Sequence, residues 1–146
     1  AEDFKMATGT FVSVGPLRAK IIAAGAPLIQ DVVITGINEK EVGALIILAL
    51  GPAKKFTGLP DTAAMKDVAT HADIKRAMGQ LITKLAQSAT GSSNRIARAL
   101  VLQQPPSLDQ GEITDKGSIN QRAVLQARTE LVAALYADTA PNILKP

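Results

Sequence analysis

Runs of β-branched and aliphatic residues between turn residues predict the strands of this chain. "DVVITG" (31–36) and "EVGALIILAL" (41–50) predict two strands joined by the turn "INEK". Because the second run is almost wholly apolar, we expect it to be a central strand. "RIARALVLQ" (95–103) predicts a third strand, although its alanines leave a helix open.

The start of the chain predicts a hairpin followed by a helix. Two short β-prone pieces of "FKMATGTFVSVG" flank Thr8 and Gly9, which is typical of a β-hairpin. In "GPLRAKIIAAG", Pro16 suits the first helical position and Gly25 suits a C-terminal cap. The predicted inner face of this helix consists of Leu17, Ile21 and Ile22.

The middle of the chain predicts a loop and then an amphipathic helix. Residues 51–67 are rich in glycine, proline and small side chains, which predicts a loop. The helix is expected to begin near Thr70, because Thr70 and Asp73 have the spacing of a capping box. Its predicted inner face consists of Ile74, Met78, Leu81, Ile82 and Leu85.

A single helix is predicted near the end of the chain. Ser118 and Gln121 have the spacing of a capping box at its start. Its predicted inner face consists of Val124, Ala127, Leu131 and Leu135. Strands and helices therefore alternate irregularly, which predicts an α+β domain: a small sheet with an N-terminal hairpin, covered by helices.

Composition excludes several functional classes. The 146 residues include no cysteine, which excludes a disulfide framework, a thiolate metal site and a cysteine nucleophile. His71 is the only histidine, so we expect it to be a surface residue and expect no metal site. The net charge is only +3, and three Phe and one Tyr offer few rings on which bases could stack, so we expect no nucleic-acid partner. No apolar run is long enough to span a bilayer, and the lack of cysteine fits a reducing compartment, so we expect a cytoplasmic protein without a membrane partner.

One lysine stands in an unusual place. "GEITDKGSINQR" (111–122) puts Lys116 and Gly117 just ahead of the last predicted helix, whose free N–H groups attract anions and disfavour cations. A lysine beside such a helix start suits a phosphate or a carboxylate ligand. The spacing alone leaves two interpretations open, a solvated loop residue and an anion-binding lysine.

Segments at the two ends of the chain resemble a known family. "EDFKMATGTFVSVGPLRAKI" (2–21), "DVVITG" and "GEITDKGSINQRAVL" (111–125), in this order, resemble the C-terminal domain of the feruloyl-CoA synthase type of acyl-CoA ligase. This type belongs to the adenylate-forming, AMP-binding enzyme superfamily. Residues 51–94 contribute little to the resemblance.

The resemblance implies a two-step reaction. A carboxylate and ATP give an acyl-adenylate and pyrophosphate, and after the small C-terminal domain rotates, the thiol of CoA displaces AMP. The implied cofactors are ATP, Mg²⁺ and CoA, and the implied acyl substrate is an aromatic acid such as ferulate. A large N-terminal adenylation domain, absent from this sequence, would hold ATP, Mg²⁺ and the acyl pocket. Residues 1–146 are then expected to form one mobile domain that starts at the interdomain hinge, binds no cofactor by itself and is inactive alone.

The resemblance also implies site residues. It gives Lys116 the role of the adenylation lysine, which neutralises charge on the carboxylate and the α-phosphate. In the common family pattern, T-x-S-G-K, the lysine would fall on Ser118, and Lys116 stands two residues earlier. Lys20 and Lys145 are more distant alternatives.

Further implied residues lie at the start of the chain. Glu2 or Asp3 is the expected hinge residue. CoA is expected to pass beside a loop of three small residues, and Arg18 is expected to reach its phosphates. The loop consists of Thr8, Gly9 and Thr10.

A different class of function stays open at this point. The weak family signal across 51–94 leaves the alternative of a stand-alone, non-enzymatic binding module for an anionic ligand or a protein partner.

Overall fold

A three-stranded sheet organises the domain in the computed structural model, which describes residues 2–146. The strands are β1 (Phe4–Lys5), β2 (Phe11–Val12), β3 (Ile29–Thr35), β4 (Val42–Leu48) and β5 (Ile96–Val101). β1 and β2 form the predicted hairpin. In the larger sheet, β4 lies in the centre, antiparallel to β3 and parallel to β5. The α+β class, the hairpin and the central place of β4 are therefore confirmed.

The parallel pairing of β4 and β5 requires a long crossover, which helices supply. The helices are α1 (Val14–Gly25), α2 (Leu50–Thr57), α3 (Met65–Ala69), α4 (Ala72–Ser88), α5 (Gln121–Ala127) and α6 (Thr129–Tyr136). The crossover consists of α2, α3 and α4, whereas α5 and α6 follow β5. No helix within residues 2–146 combines the length and hydropathy of a membrane-spanning segment.

The sheet is covered on both faces, which explains why every residue of β4 is buried. Side chains alternate between the faces, so Ala44 and Ile46 join the core formed with α1 and α4, while Leu45 and Ile47 join the core formed with α5 and α6. The predicted inner face of α4 is confirmed, since all five of its residues are buried in the first core: Ile74, Met78, Leu81, Ile82 and Leu85.

The predicted loop over 51–67 is wrong, because its glycines and prolines mark helix ends. Pro52 is the third residue of α2, where an N–H has no intrahelical acceptor and its loss costs nothing. Gly58 follows α2 with a φ of 75° and donates its N–H to the Lys54 carbonyl, as a left-handed C-terminal cap does. The Met65–Ala69 helix lies in the same segment.

Two predicted helix boundaries are also corrected. The cap of α4 is His71, whose Nδ1 accepts a hydrogen bond from the N–H of Asp73 at 3.0 Å, while the Thr70 hydroxyl donates back to α3. His71 is half-buried. α1 begins before Pro16, and Gly25 is its last helical residue, required by close packing because a Cβ there would overlap the Ile29 side chain.

Gly43 of β4 is a second position that packing reserves for glycine. A Cβ there would lie 2.5 Å from Thr35 Oγ1, 3.0 Å from the Tyr136 hydroxyl and 3.1 Å from Arg98 Cγ. The Thr35 and Tyr136 hydroxyls are hydrogen-bonded at 2.9 Å, so the added atom would push this pair apart.

We predict that Gly43→Ala lowers the free energy of unfolding by about 1–3 kcal/mol, the usual cost of overpacking. The matched control is Gly79→Ala in α4, where the new Cβ meets nothing within 4 Å and should stabilise the helix by roughly 0.5–1 kcal/mol. Urea unfolding of both variants measures the difference. Equal effects of the two substitutions would contradict the packing argument.

Tyr136 provides an optical probe of the same region, because it is the only tyrosine and the chain has no tryptophan. Burial raises the pKa of Tyr136 to about 12, despite its hydrogen bond with Thr35, which acts in the other direction. The unfolded chain should titrate near pH 10. A raised folded-state pKa means that the contribution of Tyr136 to stability is complete below about pH 10 and is lost as the pH rises towards 12.

We therefore predict that tyrosinate absorbance rises near pH 12 in the folded domain and near pH 10 in urea. Tyr136→Phe, which removes the titrating group, should abolish the signal and flatten the loss of stability in this range. A folded-state midpoint near 10 would show that the hydroxyl is solvated.

Candidate functional site

Lys116 lies at the tip of a small hairpin, which we call the Lys116 hairpin (residues 113–119). Ile113 and Ile119 form its antiparallel bridge. The Thr114 carbonyl accepts the N–H of Gly117, and the Thr114 N–H donates to the Ser118 carbonyl, both at 2.9 Å. Gly117 has a φ of 82°, which favours glycine and explains the Lys-Gly order of the sequence.

The Lys116 side chain is exposed and has no protein partner among the residues that the structure describes. No ion pair or side-chain hydrogen bond within residues 2–146 involves it. Its ammonium group can therefore approach an external anion without giving up an internal contact, as an anion-binding lysine requires.

The helix start near Lys116 differs from the prediction. Asn120, not Ser118, caps α5, because Asn120 Oδ1 accepts the N–H of Ala123 at 3.1 Å. The backbone of Ser118 is held by the turn through both Thr114 bonds, which keeps the residue out of the cap position. The predicted Ser118–Gln121 capping box is wrong, and Lys116 lies four residues before the true cap.

Gln121 has a different function from the one its spacing suggested. Its side chain is buried, and Oε1 accepts the N–H of Ile34 at 2.9 Å, 87 residues away in the chain. Because β3 is an edge strand, this bond satisfies a backbone donor that no further strand pairs with. It ties the start of α5 to the sheet.

The predicted single last helix is interrupted at Arg128. Its φ of −117° and ψ of 34° end α5 and begin α6. Ala127, predicted on the inner face, is exposed, whereas Val124 and Leu135 are buried and Leu131 is half-buried.

The base of the Lys116 hairpin contains a buried ion pair. Glu112, 1% exposed, accepts Arg128 Nε at 2.8 Å and Nη2 at 3.0 Å, and also the backbone N–H of Ser107 at 2.9 Å. The Arg128 guanidinium holds the pKa of Glu112 below its usual range, although burial acts in the opposite direction. The carboxylate is therefore ionised at neutral pH.

The predicted CoA-side loop has the same turn geometry as the Lys116 hairpin. Gly9 donates to the Met6 carbonyl and Met6 donates to the Thr10 carbonyl, both at 2.9 Å, and Gly9 has a φ of 86°. The hydroxyls of Thr8 and Thr10 are hydrogen-bonded at 3.1 Å, and the tip of this turn is exposed.

The predicted hinge residues contact α1. Asp3 Oδ1 accepts the N–H of Val14, a donor left free at the helix start, at 3.0 Å. Glu2 lies 3.6 Å from Nη1 of Arg18, whose Nη2 donates to both carboxylate oxygens of Asp31 at 2.8 and 2.9 Å. The structure thus brings the predicted hinge and Arg18 together, and Lys116 forms no hydrogen bond or ion pair with them in the described part of the chain.

The family model of the AMP-binding enzyme C-terminal domain matches residues 4–140 of this chain. The chain belongs to this family. The expected membership of the adenylate-forming superfamily is thereby confirmed, and the fold is that of a C-terminal domain of an adenylate-forming enzyme. No curated protein matches the chain.

Solved structures share the fold of this AMP-binding enzyme C-terminal domain. The A domain of carboxylic acid reductase from Segniliparus rugosus, in complex with AMP and a co-purified carboxylic acid, matches 94% of the chain with a TM-score of 0.65 and 21% identity. The adenylation domain of a carboxylate reductase from Mycobacterium chelonae matches 93% with a TM-score of 0.66 and 20% identity. The chain spans 20% and 19% of these two proteins.

Spacing along the sequence did not reveal the ion pair at the base of the Lys116 hairpin of this C-terminal domain. Glu112 and Arg128 are 16 residues apart, and Arg128 lies at the break between α5 and α6. The only local signal was the acidic residue in "GEIT", directly before a turn sequence. Within residues 2–146, no group of three or more His, Asp or Glu side chains could hold a metal ion.

We predict that Asn120→Ala lowers the free energy of unfolding by about 1 kcal/mol, the usual cost of losing an N-terminal cap. The control, Ser118→Ala, should change it by less than about 0.5 kcal/mol, because the Ser118 contacts in the turn are made by its backbone. Urea unfolding measures both. A larger loss of stability for Ser118→Ala than for Asn120→Ala would show that Ser118 is the cap.

Proposed function

We propose that this domain serves an ATP-dependent acyl-CoA ligase, in which a carboxylate and ATP form an acyl-adenylate and CoA then forms the thioester. The observation that carries the proposal is the exposed Lys116, which has no hydrogen-bond or ion-pair partner among residues 2–146 and lies on a hairpin with a buried anchor. Family membership and the resemblance of residues 2–21 and 111–125 to the feruloyl-CoA synthase type support it.

In the first half-reaction, Lys116 acts by charge. A carboxylate oxygen attacks the α-phosphorus of ATP, and the bond to pyrophosphate breaks as negative charge develops on the phosphoryl oxygens. An ammonium group placed there stabilises this charge more than it stabilises the separate reactants. The family resemblance assigns Mg²⁺ and ATP to an N-terminal adenylation domain.

In the second half-reaction, the Thr8–Thr10 turn borders the CoA thiol arm. Gly9 allows close backbone approach, because it carries no side chain at the exposed tip. The partner that the structure describes for Nη1 of Arg18 is Glu2, at 3.6 Å, and this nitrogen can take a CoA phosphate. Glu2 and Asp3 form the proposed hinge.

The two turns pack against opposite faces of the sheet, which supports alternate use of the domain. Met6, at the base of the first turn, belongs to the core with α1 and α4, whereas Ile119 of the Lys116 hairpin packs against the core with α5 and α6. We propose that the domain rotates between the half-reactions, so that the two turns face one catalytic centre in succession.

The acyl substrate and the cellular setting belong to the same proposal. We assign an aromatic acid such as ferulate on the sequence resemblance, with the acyl pocket in the N-terminal domain, and a cytoplasmic location. A second candidate is an adenylation domain of a carboxylic acid reductase, which the solved neighbours favour. A CoA thioester as the product supports the ligase, and ATP-dependent carboxylate reduction supports the second candidate.

We predict that Lys116→Ala, in the polypeptide that joins this domain to its adenylation domain, lowers ATP–pyrophosphate exchange by roughly 10²-fold or more, as loss of a transition-state charge does. Thioester formation from supplied acyl-adenylate should be unchanged. Lys20→Ala and Lys145→Ala are the matched controls and should retain both half-reactions. Equal loss in both half-reactions for Lys116→Ala would remove the proposed role.

A further inference from the structure

We infer that the Glu112–Arg128 ion pair positions the Lys116 hairpin, so that Arg128 acts on the adenylation half-reaction through Lys116. The inference about catalysis rests on the function proposed above, whereas the inference about hairpin order stands on the contacts alone.

The Arg128 guanidinium is hydrogen-bonded to three residues of one loop. Besides its two bonds to Glu112, Nη1 donates to the Gln104 carbonyl at 3.0 Å and Nη2 donates to the Pro105 carbonyl at 3.1 Å. The planar, fixed arrangement of these donors sets the positions of all the acceptors at once, which a lysine ammonium cannot do. One side chain therefore defines the path of the segment that leads into the hairpin.

Glu112 transmits this order to the hairpin. It directly precedes Ile113, and its carbonyl accepts the N–H of Asn120 at 2.9 Å, the residue directly after the hairpin. Both ends of the hairpin are therefore joined at Glu112, and the next residue, Gln121, is bonded to β3. The hairpin has a rigid base and an exposed tip that bears Lys116.

A buried ion pair is a poor means of stabilising a domain, because the cost of removing two charges from water offsets their attraction. Its bidentate geometry does restrict conformation, and the catalytic benefit of a charged group depends on its position within a fraction of an ångström. The placement of this pair at the base of the hairpin that bears Lys116 fits positioning better than general stability.

Arg98 provides a matched control for general stability. It is as buried as Arg128, with side chains 12% exposed in both, and its Nε and Nη2 both donate to one carboxylate oxygen of Glu41, with further bonds to Asp138 and the Leu135 carbonyl. None of these partners belongs to the Lys116 hairpin.

The first measurement is amide hydrogen exchange by NMR on the 146-residue chain. Arg128→Lys should accelerate exchange of the Gly117 and Asn120 amides by roughly tenfold or more relative to the Leu102 amide of the sheet edge. Arg98→Lys should not change this ratio. If both variants change it equally, or neither does, hairpin order does not depend on Arg128 and the inference is overturned.

The second measurement separates the half-reactions in the polypeptide that includes the adenylation domain. Arg128→Lys should lower kcat for ATP–pyrophosphate exchange by roughly tenfold, with KM for ATP and the thioester half-reaction nearly unchanged. Arg98→Lys should leave both half-reactions unchanged. Equal loss in the two half-reactions would assign Arg128 a structural role only.

A second variant covers the case in which Arg128→Lys fails to fold. Glu112→Gln keeps the side-chain size and one acceptor oxygen, and should produce the same changes to a smaller extent; an unchanged exchange ratio would overturn the inference. If Lys116→Ala leaves adenylation intact, the proposed function fails, while the hydrogen-exchange ratio still decides whether Arg128 orders the hairpin.

Discussion

The burial of β4 on both faces is the constraint on which the other elements depend. Its backbone is satisfied by β3 on one side and β5 on the other, and its side chains alternate between two cores. One core must be covered by α1 and α4 and the other by α5 and α6. The segment between β5 and α5 therefore has to pass to the second face, and the Lys116 hairpin lies in that segment.

Elements whose apolar pattern reflects burial could be predicted from the sequence. The prediction was wrong where a residue type, such as proline or glycine, fits two kinds of local structure. β4 and α4 were predicted because runs and stripes of apolar residues report directly on the core. The segment 51–67 was predicted wrongly because Pro52 and Gly58 are as compatible with helix ends as with a loop. Local composition does not show whether such a proline or glycine ends a helix or belongs to a loop.

The candidate site was predictable only in part, because some of its residue types also fit more than one local structure. Lys116 was singled out because it stands just ahead of a predicted helix, whereas in the structure it lies in a turn in which Gly117 has a positive φ. Ser118 and Asn120 are both good caps by type, and only the hairpin bonds, which occupy the Ser118 backbone, decide between them. The Arg128 contact with Glu112 spans 16 residues, a separation that no short motif encodes.

The Lys116 hairpin combines an exposed tip with a buried, hydrogen-bonded base. The Lys116 side chain is exposed and has no partner within the described range 2–146, while the residues at the hairpin base, Glu112 and Gln121, are almost fully buried and bonded across the fold. A lysine fixed by its own contacts would lose them on meeting an anion, and a lysine on a loose loop would lose conformational entropy. Anchoring the base and leaving the tip free avoids both costs, so the polar groups buried beneath the hairpin fit the anion-binding role proposed for Lys116.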